Sequence, residues 1–312
     1  MSTPYVPGEG LPIALPFGST PAEQKSQVAG RSAKSTGPNT PPLSDAEQRE
    51  RRLSRRALDL LDQSLPQRDR DVLDFVAAHR FLTTRQLERF VFTGHASGET
   101  SARVARRVLA RLERSLLLAS LDRRIGGVRA GSSATIWQLT SGAARLLRAD
   151  GVNFRRPDPS PRFLLHCLAV GDVHLALRDI RGGDVRRVEV QIEPASWRSF
   201  TGPGGERRTL QPDLAAVVRA ADFDERWFLE VDLGTESINT VLRKCAQYEA
   251  YRATGIEQEE HGTFPIVWWL MSSRDRVDRL TSTIRRTPRL TPALYRVVFV
   301  EELSTRLREA LV

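Results

Sequence analysis

Lysine is almost missing from this chain. Of its 47 basic residues only Lys25, Lys34 and Lys244 are lysines. Cysteine is scarce too, and Cys167 and Cys245 stand alone. Two cysteines exclude a disulfide framework and their spacing fits no metal motif, so both read as small buried hydrophobes in a reducing cytoplasm. No apolar run approaches the ~18 residues of a membrane-spanning helix. The N-terminus is polar and Pro-rich and lacks the basic-then-apolar pattern of a secretory signal. No His-x-His pair occurs, which excludes the metal site of rolling-circle nicking enzymes. No Gly-rich loop ends in Lys-Ser or Lys-Thr, which excludes a phosphate-cradling ATPase loop. The expected location is the cytoplasm, with no membrane partner.

What is present is positive charge. The formal net charge is +9 over 312 residues, with a pI near 10.4. Such a balance favours a polyanion, nucleic acid first and an anionic membrane second, although a soluble protein can also simply be basic. The near-total use of Arg gives Lys244 its interest: Arg holds its proton too tightly for most proton-transfer chemistry, and Lys does not.

The length allows two ordinary domains. Residues 1–43, rich in Pro, Ser, Thr and Gly without apolar periodicity, read as a disordered tail. Ser44 and Glu47 form a capping box that opens a charged helix over residues 44–65, with Leu53, Ala57, Leu60 and Leu61 as its apolar face. Residues 66–150 read as a winged helix-turn-helix. Helices are expected from Arg68 to His79, after the Thr83/Gln86 cap, and from Glu99 to Arg114. Strands follow at Leu116–Leu121 and Thr135–Leu139 around an Arg-rich hairpin tip, then a closing helix from Ser141 to Ala149. The third helix carries Arg103, Arg106, Arg107, Arg111 and Arg114, and the wing carries Arg123, Arg124 and Arg129. A helix of this width fits the DNA major groove, where guanidinium forks bind phosphates or guanine edges. The bland alternatives are a solvated helix face or a protein–protein module.

Residues 151–161, with four Pro or Gly residues among them, read as a linker. Residues 162–312 have a different rhythm. An apolar helix spans Phe163–Asp179, and strands are expected at Val185–Ile192, Leu210–Val218 and Arg226–Leu233. A helix at Ile238–Ala253, a doubly buried strand at Phe264–Met271, a helix at Arg274–Arg286 and a strand at Tyr295–Val300 follow. The order predicts an α+β chain with a mixed sheet in its second half.

The acidic residues of that half carry the chemistry. Pro212-Asp213 begins one strand, and Glu230-Val231-Asp232 ends the next. Glu230 and Asp232 share a strand face roughly 6.5 Å apart. An antiparallel pairing would bring Asp213 beside Glu230. Clustered carboxylates repel, so a buried cluster calls for a cation or raised pKa values. Oxygen donors suit Mg²⁺ or Mn²⁺, with Asp213 and Glu230 as the metal ligands. Lys244 follows on the next helix, where Gln247 and Tyr248 share its face. The alternative is a set of solvated strand-end carboxylates with Lys244 as a simple salt bridge. Glu189 and Glu193 are candidates for a further ligand or for solvent-facing positions. Tyr248 is a candidate nucleophile or a packing residue. His166 and His174, eight apart on one helix, read more simply as surface or core histidines. Trp268-Trp269 belongs to the buried strand.

This arrangement resembles the PD-(D/E)XK nuclease superfamily through Pro212-Asp213, Glu230-x-Asp232 and Lys244. The resemblance implies an αβββαβ core and metal-dependent phosphodiester cleavage. One departure stands out: the usual terminal lysine is Asp232 here. Some members of the superfamily carry the lysine on the neighbouring helix, where Lys244 lies. The whole chain also resembles the replication-relaxation family of actinobacterial plasmids and integrative elements, itself similar to MobC-type mobilisation relaxases. The stretch Trp227 to Thr235 with Lys244-Cys-Ala-Gln-Tyr248 carries that resemblance most specifically. It implies work on a double-stranded, origin-like plasmid site with replication or mobilisation proteins as partners. Two functions follow as expectations. One is a metal-dependent nicking or relaxing endonuclease using Asp213, Glu230, Asp232, Lys244 and Tyr248. The other is a replication initiator or regulator whose nuclease fold is inactive and whose winged helix binds DNA. A protein-interaction adaptor is the third and weakest.

Overall fold

The computed structural model describes residues 53–94, 97–121, 135–147, 159–181 and 185–311. The tail, the Ser44/Glu47 cap, the wing arginines Arg123, Arg124 and Arg129, and most of the expected linker lie outside these residues. The first described helix, α1 (Arg55–Ser64), starts on Ser54, whose side chain accepts from the Ala57 N–H. Its Leu58 is buried and Leu60 is exposed, so the apolar face is turned from the one expected.

Three helices then pack together. Pro66 precedes α2 (Gln67–His79). A complete capping box of Thr83 and Gln86 opens α3 (Thr84–Val91). Ser97 caps α4 (Gly98–Arg114). Val72, Val76, Leu87, Phe90, Val108, Leu109 and Leu112 fill one core between them. The strands β2 (Leu118–Leu121) and β3 (Ile136–Leu139) form the expected antiparallel pair. A two-residue strand, β1 (Leu82–Thr83), adds to the far side of β3 and makes a three-stranded sheet. Two residues are too few for an alternation to be read from sequence. Helix α5 (Ser141–Leu147) closes this half against α1.

Helix α6 (Pro161–Arg178) serves both halves. Leu164 and Cys167 pack on Phe81 and Ile136, Leu175 joins the first core, and Val170, Val173 and Leu177 face the large sheet. That division explains a helix apolar nearly all round. The approach is close: a Cβ on Gly171 would meet the Leu82 and Gln86 side chains at 3.0 Å. The Gln86 amide donates to the Leu168 carbonyl at 2.7 Å and to Asp172 at 2.8 Å. His79 and His174 share a buried hydrogen bond of 3.0 Å at the same seam.

The second half is a five-stranded mixed sheet in the order β10-β9-β8-β7-β4. Its strands are β4 (Arg187–Ile192), β7 (Leu214–Arg219), β8 (Asp224–Asp232), β9 (Ile266–Met271) and β10 (Tyr295–Phe299). The β4, β7 and β8 neighbours are antiparallel, and β8, β9 and β10 are parallel. Helices α7 (Ile238–Arg252) and α9 (Arg274–Arg286) cover one face. Helix α6 and the C-terminal α10 (Leu303–Glu309) cover the other. A short α8 (Ile256–His261) follows α7. The αβββαβ order is as expected, with one correction. The strand expected over Leu210–Val218 is broken at Gln211-Pro212-Asp213. Its first part, β6 (Arg207–Leu210), pairs with β5 (Arg198–Thr201) as a separate hairpin. The Gly202–Gly205 loop is the turn of that hairpin. Pro212 has no N–H for a ladder, so the chain leaves one sheet there and enters the other.

Two expectations follow. Asp69 is buried in the first core's edge and takes both guanidinium arms of Arg111, the shortest at 2.6 Å. Removing the cation leaves a buried carboxylate unpaired, at about 1–3 kcal/mol or more. Urea unfolding is expected to show that loss for Arg111→Ala and a change within about 0.5 kcal/mol for Arg106→Ala. The second concerns pH. Burial lowers His79 from its ordinary value to about 3 and lowers His174 as well, His79 and Arg178 adding to the shift at His174. Below the unfolded value near 6.5, the unfolded chain binds these protons and the folded chain does not. Stability is therefore complete above about pH 6.5. It is expected to fall toward pH 4 by up to about 1.4 kcal/mol per pH unit for each histidine, and a pH series of denaturant midpoints measures it.

Candidate functional site

Three carboxylates gather where the sheet leaves β7 and β8. Leu214 stands opposite Leu229. The register, carried one residue on, places Asp213 against Glu230. The Val231 N–H donates to Asp213 at 2.7 Å and holds it there. Glu230 and Asp232 are on the face of β8 that carries Phe228, toward α7 and α9. All three carboxylates are buried. They line a cleft of about 300 Å³ with Lys244, His166, Phe163 and Arg162.

Each carboxylate has its own cation. The Lys244 ammonium lies 2.5 Å from Glu230 Oε2, and the Tyr248 hydroxyl donates to Oε1 at 2.5 Å. His166 Nε2 is 3.2 Å from Asp213. Arg276, from α9, pairs with Asp232. The other Asp232 oxygen accepts the Gly234 N–H at 2.7 Å, in a turn where Gly234 has φ 83°. A Cβ there would meet the Ser272 hydroxyl at 2.9 Å, so the position calls for glycine on both counts.

The electrostatics separate the two facing acids. Burial pushes Glu230 up to about 8, with the Asp213 charge adding, against the pull of Lys244 and Tyr248. Burial acts on Asp213 in the same sense, but His166, Lys244 and the Val231 N–H outweigh it and hold Asp213 below the usual carboxylate value. The Asp213 hydrogen bond raises His166. Burial disfavours the charge on Lys244, and Glu230 and Asp213 overcome it and raise that group. The cleft thus holds an ionised carboxylate, a carboxyl that can carry a proton near neutrality, and a fixed ammonium. Such a set can orient water, move a proton and stabilise charge on a phosphate.

Of the expected site residues, the structure brings Asp213, Glu230, Asp232, Lys244 and Tyr248 together. Gln247 is exposed on α7. Tyr248 is fully buried with its hydroxyl spent on Glu230. So placed, its hydroxyl is turned toward Glu230 and away from the cleft's open side. Glu189 is not at the site and pairs with Arg219 at 2.9 Å. Glu193 is beside it, in a smaller cavity shared with His166 and Asp213, and is 3.3 Å from Arg80. His166 and Arg276 are the residues the sequence reading missed. His166 was legible as a histidine on α6, but nothing local shows that α6 crosses the end of β7. Arg276 is one arginine among many.

The oxygen donors are of the type Mg²⁺ or Mn²⁺ prefers. Every oxygen of Asp213, Glu230 and Asp232 already takes a protein donor, however. Among the described residues no group of three or more His, Cys, Asp or Glu is spaced to enclose an ion. As arranged, the cluster is compensated by its own cations and does not form a ready-made metal cage.

On the first half, Arg103, Arg106, Arg107 and Arg114 are exposed along α4. Arg103, Arg106 and Arg107 have no carboxylate partner among the described residues. Arg111 is committed to Asp69, which removes it from the free basic face.

These features define a mixed α+β protein with a basic helix in one half and, at a sheet end in the other, a buried acid cluster in which Lys244 pairs with Glu230. The chain belongs to the replication-relaxation family, whose model matches residues 73–267. The match spans α4 and the entire acid cluster. Membership points to a role in plasmid replication or relaxation, and so to DNA. No curated protein and no solved structure matches the chain. No helix among the described residues is long and apolar enough to cross a membrane.

The Lys244–Glu230 pair gives a stability test. Lys244→Ala strands a buried carboxylate and is expected to cost about 3–5 kcal/mol. Adding Glu230→Gln removes the charge and is expected to restore most of that loss in denaturant midpoints. Equal, additive losses would show that the two groups do not depend on each other.

Proposed function

We propose that this protein binds double-stranded plasmid DNA through α4 and cuts one strand at the Asp213–Glu230–Lys244 cleft. In this reading residues 66–150 are a winged helix-turn-helix and residues 162–312 a PD-(D/E)XK-like nuclease domain. The single observation that carries the reading is the meeting of Asp213, Glu230 and Lys244, from three separate elements, in one cleft. Two carboxylates alone would be a common surface accident. A buried pair, one member of which takes the only lysine of residues 53–312, is not.

Lys244 holds positive charge beside the place a scissile phosphate would occupy. Asp213 is the ionised acid, Glu230 the proton carrier, and His166 and Tyr248 fix their orientation. Asp232, tied to Arg276 and Gly234, assists by shaping the turn after β8. A Mg²⁺ or Mn²⁺ ion, if used, would be held by Asp213 and Glu230, with water and phosphate oxygens completing its shell; it would supply Lewis acidity to the phosphate. Lys244 and His166 would have to yield oxygen lone pairs to it. The cytoplasm is the proposed location, and other replication or mobilisation proteins are proposed partners.

The test uses supercoiled plasmid bearing the cognate origin, with Mg²⁺ or Mn²⁺ and a chelator control. Nicked or relaxed circles are expected with the wild type. They are expected to fall at least a hundredfold for Asp213→Asn and for Lys244→Ala, with DNA binding retained. A second reading, favoured by the complete internal charge compensation of the cluster, is a DNA-binding initiator with an inactive nuclease fold. It stands if no nicked circle forms with any cation while binding is intact. For binding, Arg106→Ala with Arg107→Ala is expected to weaken affinity and to lower the slope of log affinity against log salt by about 1.8, near 0.9 per lost phosphate contact. Unchanged affinity would remove α4 from the interface.

A further inference from the structure

We infer that the cleft admits an unpaired strand, with Phe163 as the stacking platform for one base of single-stranded DNA. This rests on the proposed cleavage site and names the form of DNA that enters it. Phe163 is among the few large apolar side chains left exposed, at 37%, and it lines the same cleft as Asp213, Glu230 and Lys244. A lone exposed phenylalanine needs no explanation. This one is held in a fixed attitude by the other half of the molecule. The Arg80 guanidinium is 5.6 Å from its ring centroid, and Phe81 meets it edge-on at 6.2 Å.

Arg80 is itself set in place at some strain. It follows α2 in a γ-turn closed by the Phe81 N–H on the His79 carbonyl at 2.8 Å, with φ 68°. Non-glycine residues rarely hold that conformation unless their surroundings over-determine it. Here Glu193 and the Phe163 ring do so. The strained residue therefore ends between Glu193 and the aromatic ring.

Size and charge select the occupant. About 300 Å³ is the lower limit of small-ligand pockets, room for one nucleotide and too little for a base pair with both strands. Arg162, 3.7 Å from Glu236, and Lys244, paired with Glu230, are the cations a strand's phosphates would meet, while the ring supplies the flat apolar surface a base requires. Aromatic stacking with a basic track is how proteins hold single strands without reading sequence.

The experiment uses the full chain with chelator present, so that no strand is cut. Labelled mixed-sequence oligonucleotides are titrated as closed duplex and as duplex with a central unpaired bubble; stacking tolerates any sequence. The wild type is expected to prefer the bubble. Phe163→Ala is expected to lose roughly tenfold in bubble affinity, with duplex affinity unchanged. Phe163→Trp is expected to keep the preference and to show indole emission quenched by the bubble and not by the duplex. The variant's emission is read as its difference from the wild type. Should Phe163→Ala not fold, the Phe163→Trp quenching decides alone. Equal bubble affinity in a folded Phe163→Ala, or an unquenched Phe163→Trp, overturns the inference. Because binding is read without cutting, a failed nicking assay with intact bubble preference defeats the cleavage reading only. Equal cutting of closed and bubble duplex by Phe163→Ala and wild type defeats the stacking subsite only.

Discussion

The burial of Glu230 is the constraint from which the rest of the second half follows. A carboxylate this far from water costs several kcal/mol unless a cation and hydrogen bonds compensate it. Its two oxygens take one ammonium and one phenol, and both donors come from a single helix. That fixes the rotation of α7 on the sheet. Once Lys244 and Tyr248 face Glu230, Cys245 and Val241 must pack on Val267 and Phe228, as they do. Asp213 adds a second negative charge by strand register, and it too is met, by His166 from the opposite face of the sheet. The cluster thus ties α6, β7, β8 and α7 together in one place. Arg276 extends the tie to α9.

Helix α6 passes this order to the first half. Its charged and polar positions are as specific as its apolar ones. Asp172 and the Leu168 carbonyl receive the Gln86 amide, and Asp179 receives Arg89. The capping box of α3 therefore has two duties, since the same Gln86 that closes the box anchors the helix to α6. The basic face of α4 is then positioned relative to the cleft through α3, which packs on both α4 and α6. Direct packing of α3 on α4 and on α6 thus joins the two halves.

Much of this was legible beforehand. The capping residues, the alternation of β4 and the dense apolar run of β9 follow from local rules that a sequence displays. So does the pairing of Asp213 with Glu230, because a short connection between two strands leaves little choice of register. The missed features depend on residues far apart in the chain. Arg111 looked like one of a row of free arginines, and only the fold shows Asp69 buried beneath it. The break at Pro212 was written in the sequence, but Leu210 to Val218 alternates well enough to mask it. Tyr248 could be placed on the Lys244 face by spacing, whereas its complete burial could not.

The near-absence of lysine now has a local meaning at position 244. A guanidinium is a planar fork that prefers both oxygens of a carboxylate at once. An ammonium is a compact charge that satisfies one oxygen and keeps donors free. At Glu230 the ammonium takes one oxygen and Tyr248 takes the other. Arg is the cation beside the buried acids Asp69, Asp232 and Glu257, and Lys is the cation at Glu230. Structure and composition thus mark the same residue for separate reasons.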